Sequence, residues 1–178
     1  MTTSEFSDYA KGYSTSGISV SKKKSVEDFQ AEYCENINKK LMKANGSVSK
    51  ADLTKLEAKV LSDVDSLMTK KLDSDVNLYR AMKMEGKIAK GDVIKSPGYS
   101  STSLSQDRAK FITDVHGANY VLQIKAKKGT KGYFPSADTG LWAREQEFTL
   151  PRNSNFKVVG VGKSDKFGDG VTVLEVEL

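Results

Sequence analysis

The sequence predicts an α+β protein, with helices in front and sheets in its C-terminal two thirds. Two observations carry this. Apolar residues recur at three- and four-residue steps in the first part of the chain. From about Asp73 onward, short alternating segments follow one another between Gly- and Pro-containing turns. A length of 178 residues suits one domain, or a small domain with a helical extension. No stretch approaches the roughly 20 apolar residues of a membrane span.

Residues 1–24 are polar, rich in Ser and Thr, and lack the apolar core of a signal peptide. They read as a flexible leader whose removal should leave folding intact, on a cytoplasmic protein or an effector delivered into a host. The run Lys22-Lys23-Lys24 at its end reads as a solvated tail in preference to a phosphate site. A single domain over 25–178 follows, divided into a helical front end (25–72) and a β-rich part (73–178). Val26, Phe29, Tyr33, Ile37 and Leu41 share one helix face, with Ser25 as cap and Asn45-Gly46 as stop. Leu53, Leu56, Val60, Val64 and Leu67 form a second stripe, with Ser49 and Asp52 resembling a capping box.

Strands are expected at Asn77 to Met82 and, more briefly, at Tyr99 to Ser103 after the Ser96-Pro97-Gly98 turn. Ser105 should cap a short helix to Thr113, with Phe111 and Ile112 as its apolar contacts. Tyr120, Leu122 and Ile124 alternate as a half-buried strand, and Lys127 to Leu141 reads as a long loop or two turns. Glu147 to Leu150 is extended and stops at Pro151. Phe156, Val158 and Val161 suggest a further strand. Gly168-Asp169-Gly170 then turns the chain into the last one, Val171 to Leu178.

Composition narrows the chemistry. Lys and Arg number 28 against 23 Asp and Glu, a net charge of +5. One Cys excludes an internal disulfide framework, and one Cys with one His leaves a His/Cys metal site unsupported. Histidine-based catalysis has only His116 to use. Gly160-Val161-Gly162-Lys163-Ser164 imitates the end of a P-loop. However, Lys157 stands where its first Gly belongs, and a turn follows where a helix should. No GxGxxG is present, so the strand–turn–helix dinucleotide site is unsupported.

Three features remain. Ala143-Arg144-Glu145-Gln146-Glu147-Phe148 places two carboxylates two residues apart, on the same side of an extended chain. Such a pair belongs in water or in working chemistry. It follows a long Gly/Pro loop, where residues can meet a ligand. A second Glu-x-Glu, at Glu175 and Glu177, sits in a plain alternating strand and reads as solvent face. In Leu78-Tyr79-Arg80-Ala81-Met82 a cation stands among apolar residues, either paired with a carboxylate or holding an anion. Tyr99-Ser100-Ser101-Thr102-Ser103 puts hydroxyls along a strand, where they can brace a neighbour or cap a helix. Ser14-Thr15-Ser16 repeats that pattern in the leader, where nothing is expected to hold it.

In this order, Arg80, then the Ser-Thr-Ser of Ser101 to Ser103, then Glu145 and Glu147, the chain resembles the arginine-directed mono-ADP-ribosyltransferases of the R-S-E, exoenzyme type. The stretch Arg144 to Glu147 before an aromatic and Pro151 looks most like the phage-encoded Mod-type enzymes. The likeness spans about residues 50–178. It implies two small, mainly antiparallel sheets packed face to face, with helices in front and NAD in the cleft as a consumed substrate, and no metal. By the same resemblance, Arg80 (with its neighbour Ala81) would hold an NAD phosphate, and Ser101 would orient the catalytic glutamate. Thr102 and Ser103 would brace the sheet. Glu147 would bind the nicotinamide-ribose 2′-hydroxyl, and Glu145 would position the incoming arginine and take its proton. Family members directed at asparagine carry Gln at that first position.

Phe111 lies where relatives carry an aromatic near nicotinamide, or else on the buried face of its helix. The Arg that often follows it is absent from Thr113 to Gly117, with His116 either substituting or exposed. Tyr133, Phe134 and Trp142 could touch a protein acceptor from a bacterial host, Trp142 equally being core. The implied enzyme is a monomer. The alternative is a non-catalytic basic module with this fold, docking on host protein or nucleic acid. The intact set Arg80, Ser101, Glu145 and Glu147 argues against it, and 8% aromatic residues show no clustering of the RNA-binding kind.

Overall fold

The computed structural model describes residues 2–15 and 17–178. Met1 and Ser16, part of the expected leader, lie outside the described residues.

The expected flexible leader begins with a packed helix. Helix α1 (Thr3–Lys11) starts at a Thr2/Glu5 capping box and buries Phe6 and Ala10. Phe6, Tyr9 and Tyr13 pack around Phe134, with ring centroids 6.0, 5.7 and 4.7 Å away. The chain beyond is tied down too, because Asp138 accepts from the Ser14 hydroxyl and the Thr15 amide, both at 2.8 Å. The signal is sparse: a few apolar residues at helical spacing in a polar background bury one stripe and leave the rest in water.

Helix α2 (Val20–Asp28) begins at a Ser19 cap, earlier than expected, and carries the basic run on a helix. Ser25 is no cap but a buried hydroxyl donating to Asp63 at 2.6 Å. One π turn (Phe29–Tyr33) joins α2 to α3 (Cys34–Lys43). Asn45 and Gly46, at φ 49° and 80°, end the run as expected. Helix α4 (Lys55–Leu67) takes its capping box from Thr54 and Glu57, not Ser49 and Asp52, because the longer Glu side chain reaches back to the Thr54 amide. Leu56, expected on the buried stripe, is 49% exposed, and Leu61 is buried. Glu57 is buried against Lys40 Nζ at 2.8 Å. The apolar faces of α2, α3 and α4 close one core with Tyr99 and Tyr133.

The strands are β1 (Lys70–Lys71), β2 (Val76–Met82), β3 (Val93–Ser96), β4 (Ser100–Ser103), β5 (Tyr120–Ala126), β6 (Lys131–Gly132), β7 (Glu147–Leu150), β8 (Ser154–Lys163) and β9 (Thr172–Glu177). Seven of them form one mixed sheet in the order β3-β8-β9-β5-β2-β4-β7, antiparallel except for β5 beside β9. β1 and β6 form a small antiparallel pair. Helix α5 (Gln106–His116) starts at its expected Ser105 cap. Tyr79, Ala109 and Val121 share a core on the α5 side, while Leu78, Leu122 and Ile124 belong to the core that receives Phe6. β5 is therefore buried on both faces, not half-buried. The expected long loop at 127–141 instead holds β6 and the short helix α6 (Pro135–Thr139), which has Pro in its first turn and Gly140 at φ 68°. A bulge between Val158 and Gly160 breaks the alternation of β8, which leaves Val161 48% exposed.

Candidate active site

The sheet is weakest between β2 and β4. Their ladder is a single register pair, Tyr79 with Ser103, whereas β2 pairs with β5 along its whole length. Beyond that pair lies a cleft of about 310 Å³. β2 contributes Arg80 and Ala81, β4 contributes Ser101 to Ser103, α3 contributes Cys34 and Asn38, α5 contributes Arg108, Ala109 and Ile112, and the chain entering β7 contributes Glu145 and Glu147. Arg80, Ser101, Glu145 and Glu147, separated by up to 67 positions in sequence, meet here.

Arg80 donates from Nη1 to the Ser101 carbonyl at 3.2 Å. Burial pulls its guanidinium below the usual value, and the charge of Glu147 opposes that shift. The Glu147 carboxylate is held at both oxygens: Gln30 Nε2 donates to Oε2 at 2.9 Å, and the Thr149 hydroxyl to Oε1 at 2.8 Å. Ser101 lies on the neighbouring strand, in register with Thr149, and lines the cleft together with the Cys34 thiol. Burial, with Glu147 nearby, pushes that thiol up to about 11. Thr102 and Ser103 brace the chain through bonds to the carbonyls of Phe148 (2.5 Å) and Glu145 (2.6 Å).

The two carboxylates reach the cleft by a different backbone from the expected one. Ala143–Glu145 is a 3₁₀ turn, flanked by Trp142 at φ 59° and Gln146 at φ 46°. The simple alternation of an extended chain therefore starts only at Glu147. Two non-glycine residues in the left-handed region mark a loop held in place by its surroundings.

Sequence reasoning missed Arg108. It forms an ion pair with Glu145 and lies over the Phe111 ring, 4.6 Å from the centroid. The available signal was its position three residues before Phe111 on one helix face. The resemblance leads one to expect a cation after Phe111, but the helix supplies it before. Phe111 is 51% exposed and stands outside the cleft wall, so it is not on the buried face of its helix. His116 is exposed in the last turn of α5. Tyr133 and Phe134 are buried core residues and not acceptor contacts, whereas Trp142 is exposed near Glu145.

The α3 wall was also missed. Asn38 clamps the backbone before β4, accepting from the Tyr99 amide at 2.8 Å and donating to the Tyr99 carbonyl at 3.3 Å. Gly98 permits this approach, since a Cβ there would come within 2.4 Å of Asn38 Oδ1. Tyr99 adds a hydroxyl bond of 2.6 Å to Asp65, which is itself paired with Arg152. The helical front end is thereby bolted to the strand that carries Ser101.

Among the described residues, no cluster of three or more His, Cys, Asp or Glu could hold a metal ion, and no helix is long and apolar enough to cross a membrane. The family model described as ADP-ribosyltransferase exoenzyme matches residues 4–177. The chain superposes on the C3 exoenzyme of Clostridium limosum with a TM-score of 0.78 at 17% identity, covering 100% of this chain and 95% of that one. It superposes on C3stau2 of S. aureus, solved with NAD, with a TM-score of 0.76 at 19% identity, covering 98% and 93%. The ADP-ribosyltransferase Vis, from Vibrio splendidus, solved with agmatine, gives a TM-score of 0.73 at 24% identity, covering 98% and 81%. At these identities the likeness is one of fold. No curated protein sequence matches the chain.

Proposed function

The chain belongs to the ADP-ribosyltransferase exoenzyme family, and from that premise we propose that it moves ADP-ribose from NAD to arginine side chains of target proteins, releasing nicotinamide. The observation that carries this reading is the convergence of Arg80, Ser101, Glu145 and Glu147 on one cleft. The chemistry of the lining fits NAD. Two guanidiniums, Arg80 and Arg108, suit a pyrophosphate, and two carboxylates suit ribose hydroxyls and a cationic acceptor. Among the solved relatives, C3stau2 was determined with NAD, and Vis with agmatine, a guanidino compound.

The ribose–nicotinamide bond breaks with oxocarbenium character, as in glycoside cleavage. Glu147, its carboxylate fixed at both oxygens, stabilises the positive charge that develops on the ribose, most strongly in a cleft that excludes water. A guanidinium is a poor nucleophile while protonated. Glu145 draws the acceptor in and takes its proton as attack proceeds. In the structure Arg108 occupies Glu145, so it must release that carboxylate before a substrate arginine can take its place. A phosphate drawing Arg108 toward NAD would achieve this. The Glu at position 145 supports arginine over asparagine as acceptor. The stretch from Arg144 through Pro151, which resembles the phage Mod-type enzymes, supports a phage-type enzyme acting on a bacterial protein.

The test is incubation with labelled NAD and a bacterial lysate, wild type beside Glu147→Ala. Discrete labelled bands with wild type alone support the transferase and supply its targets. No label with either protein, and no NAD binding by calorimetry, would favour the non-catalytic module.

A further inference from the structure

Glu147 is held partly from outside the sheet. The helix from α2 to α3 widens at Phe29–Tyr33, where the Cys34 amide bonds to the Phe29 carbonyl. Such π turns are frequent at functional sites. Phe29 enters the helical core, packing edge-on against Tyr99 at 5.1 Å. The next residue, Gln30, donates from Nε2 to Glu147 Oε2 at 2.9 Å, across 117 positions of sequence. Cys34 and Asn38 line the cleft from α3, and Gln30, in the π turn just before, reaches Glu147 from the same helical run.

The two donors to Glu147 differ in kind. The Thr149 hydroxyl can donate or accept, so it tolerates either protonation state. The Gln30 NH₂ only donates, so its contact favours the carboxylate. Gln30 Oε1 has no hydrogen-bond partner among the described residues, so the carboxylate alone orients the amide. The other titratable or charged groups facing Glu147 are the Arg80 guanidinium on β2 and the Cys34 thiol on α3. Arg108 and Glu145 stand on the same cleft wall, paired with each other.

We propose that Gln30 is a positioning residue for the transfer reaction, holding the Glu147 carboxylate aimed at the ribose. The helical front end is then part of the catalytic apparatus and not only a support. The catalytic consequence rests on the function proposed above; the orientation of Glu147 does not.

The test uses Gln30→Met, which keeps the length and removes the donor, and Gln30→Glu, which keeps the shape and adds a like charge. NAD hydrolysis is followed, with melting temperature and calorimetric NAD affinity as controls. Gln30→Met should lower kcat by about ten- to a hundredfold, the worth of one hydrogen bond to a charged group, with KM for NAD little changed, and Gln30→Glu should lower it at least as far. Wild-type kcat in both variants would overturn the proposal, and Gln30→Glu alone decides it if Gln30→Met does not fold. Glutamate-labelled protein gives a readout free of activity. The ¹³C resonance of the Glu147 carboxyl, assigned by its loss in Glu147→Gln, should move in both Gln30 variants. An unmoved resonance would overturn the proposal even if the wild type proved inactive on NAD.

Discussion

Phe6→Ala tests whether the start of the chain belongs to the folded domain. Phe6 is completely buried, 6.0 Å from the Phe134 ring, which lies 4.7 Å from Phe148, the residue after Glu147. Emptying such a site costs about 3–5 kcal/mol for Phe→Ala, the lost transfer energy plus the cavity. That is a large share of a total stability of about 5–15 kcal/mol. For a chain of this size each kcal/mol moves Tm by about 2–4 °C, so a fall of roughly 10 °C is expected. If α1 lifts off as a unit, the loss is capped at its docking energy, and deleting residues 1–11 should cost as much as the point variant. Thermal and urea melts of wild type, Phe6→Ala and the truncation measure this. A Tm within about 2 °C of wild type in both variants, well inside the expected shift, would refute the packing of α1 and restore the flexible leader.

Four further outcomes follow from the same contacts. Glu147→Ala should abolish both transfer and NAD hydrolysis, whereas Glu145→Ala should lose transfer to arginine and keep more of the hydrolysis; equal losses in both assays would count against separate roles. Arg80→Ala should weaken NAD binding, and calorimetry showing unchanged affinity would remove Arg80 from the site. Lys40→Met should lower Tm at neutral pH by several degrees, since it strips the buried Glu57 of its cation. Burial raises the Glu57 carboxyl, but Lys40 and the Thr54 cap outweigh that and hold it below its usual range. Its stabilisation is therefore present above the unfolded value of about 4.3 and lost as pH falls through the folded one, so the gap between variant and wild type should close in acid. Cys34, pushed up to about 11 by burial with Glu147 nearby, should alkylate far more slowly at neutral pH than a free thiol, and labelling at the free-thiol rate would contradict that shift.

Local signals were legible where one residue settles them. Ser105 caps α5, Asn45-Gly46 ends α3, and the chain goes extended at Glu147 and leaves the strand at Pro151. The signals that failed were those decided by the rest of the fold. Ser25 and Thr54 are both plausible caps, but only Thr54 has a Glu three residues on, while Ser25 is taken by Asp63. No local pattern marks Phe6 as core, because its partner, Phe134, lies 128 positions away. The β8 bulge flips Val161 outward without any marked change in composition. In the cleft, the residues recognised from the chain order, Arg80, Ser101, Glu145 and Glu147, do come together. The ones missed, Gln30, Cys34, Asn38 and Arg108, lie on helices whose docking angle no local pattern encodes. Arg108 was the most accessible of these, since its helix and its spacing to Phe111 were both in view.

ADP-ribosyl transfer to a guanidinium is measured most directly by incubating the protein with NAD and agmatine and resolving the products by mass spectrometry. Free nicotinamide together with an agmatine–ADP-ribose adduct is the expected result, absent in Glu147→Ala. Nicotinamide and free ADP-ribose with no adduct would contradict arginine as the acceptor, and NAD left intact would contradict the transferase itself.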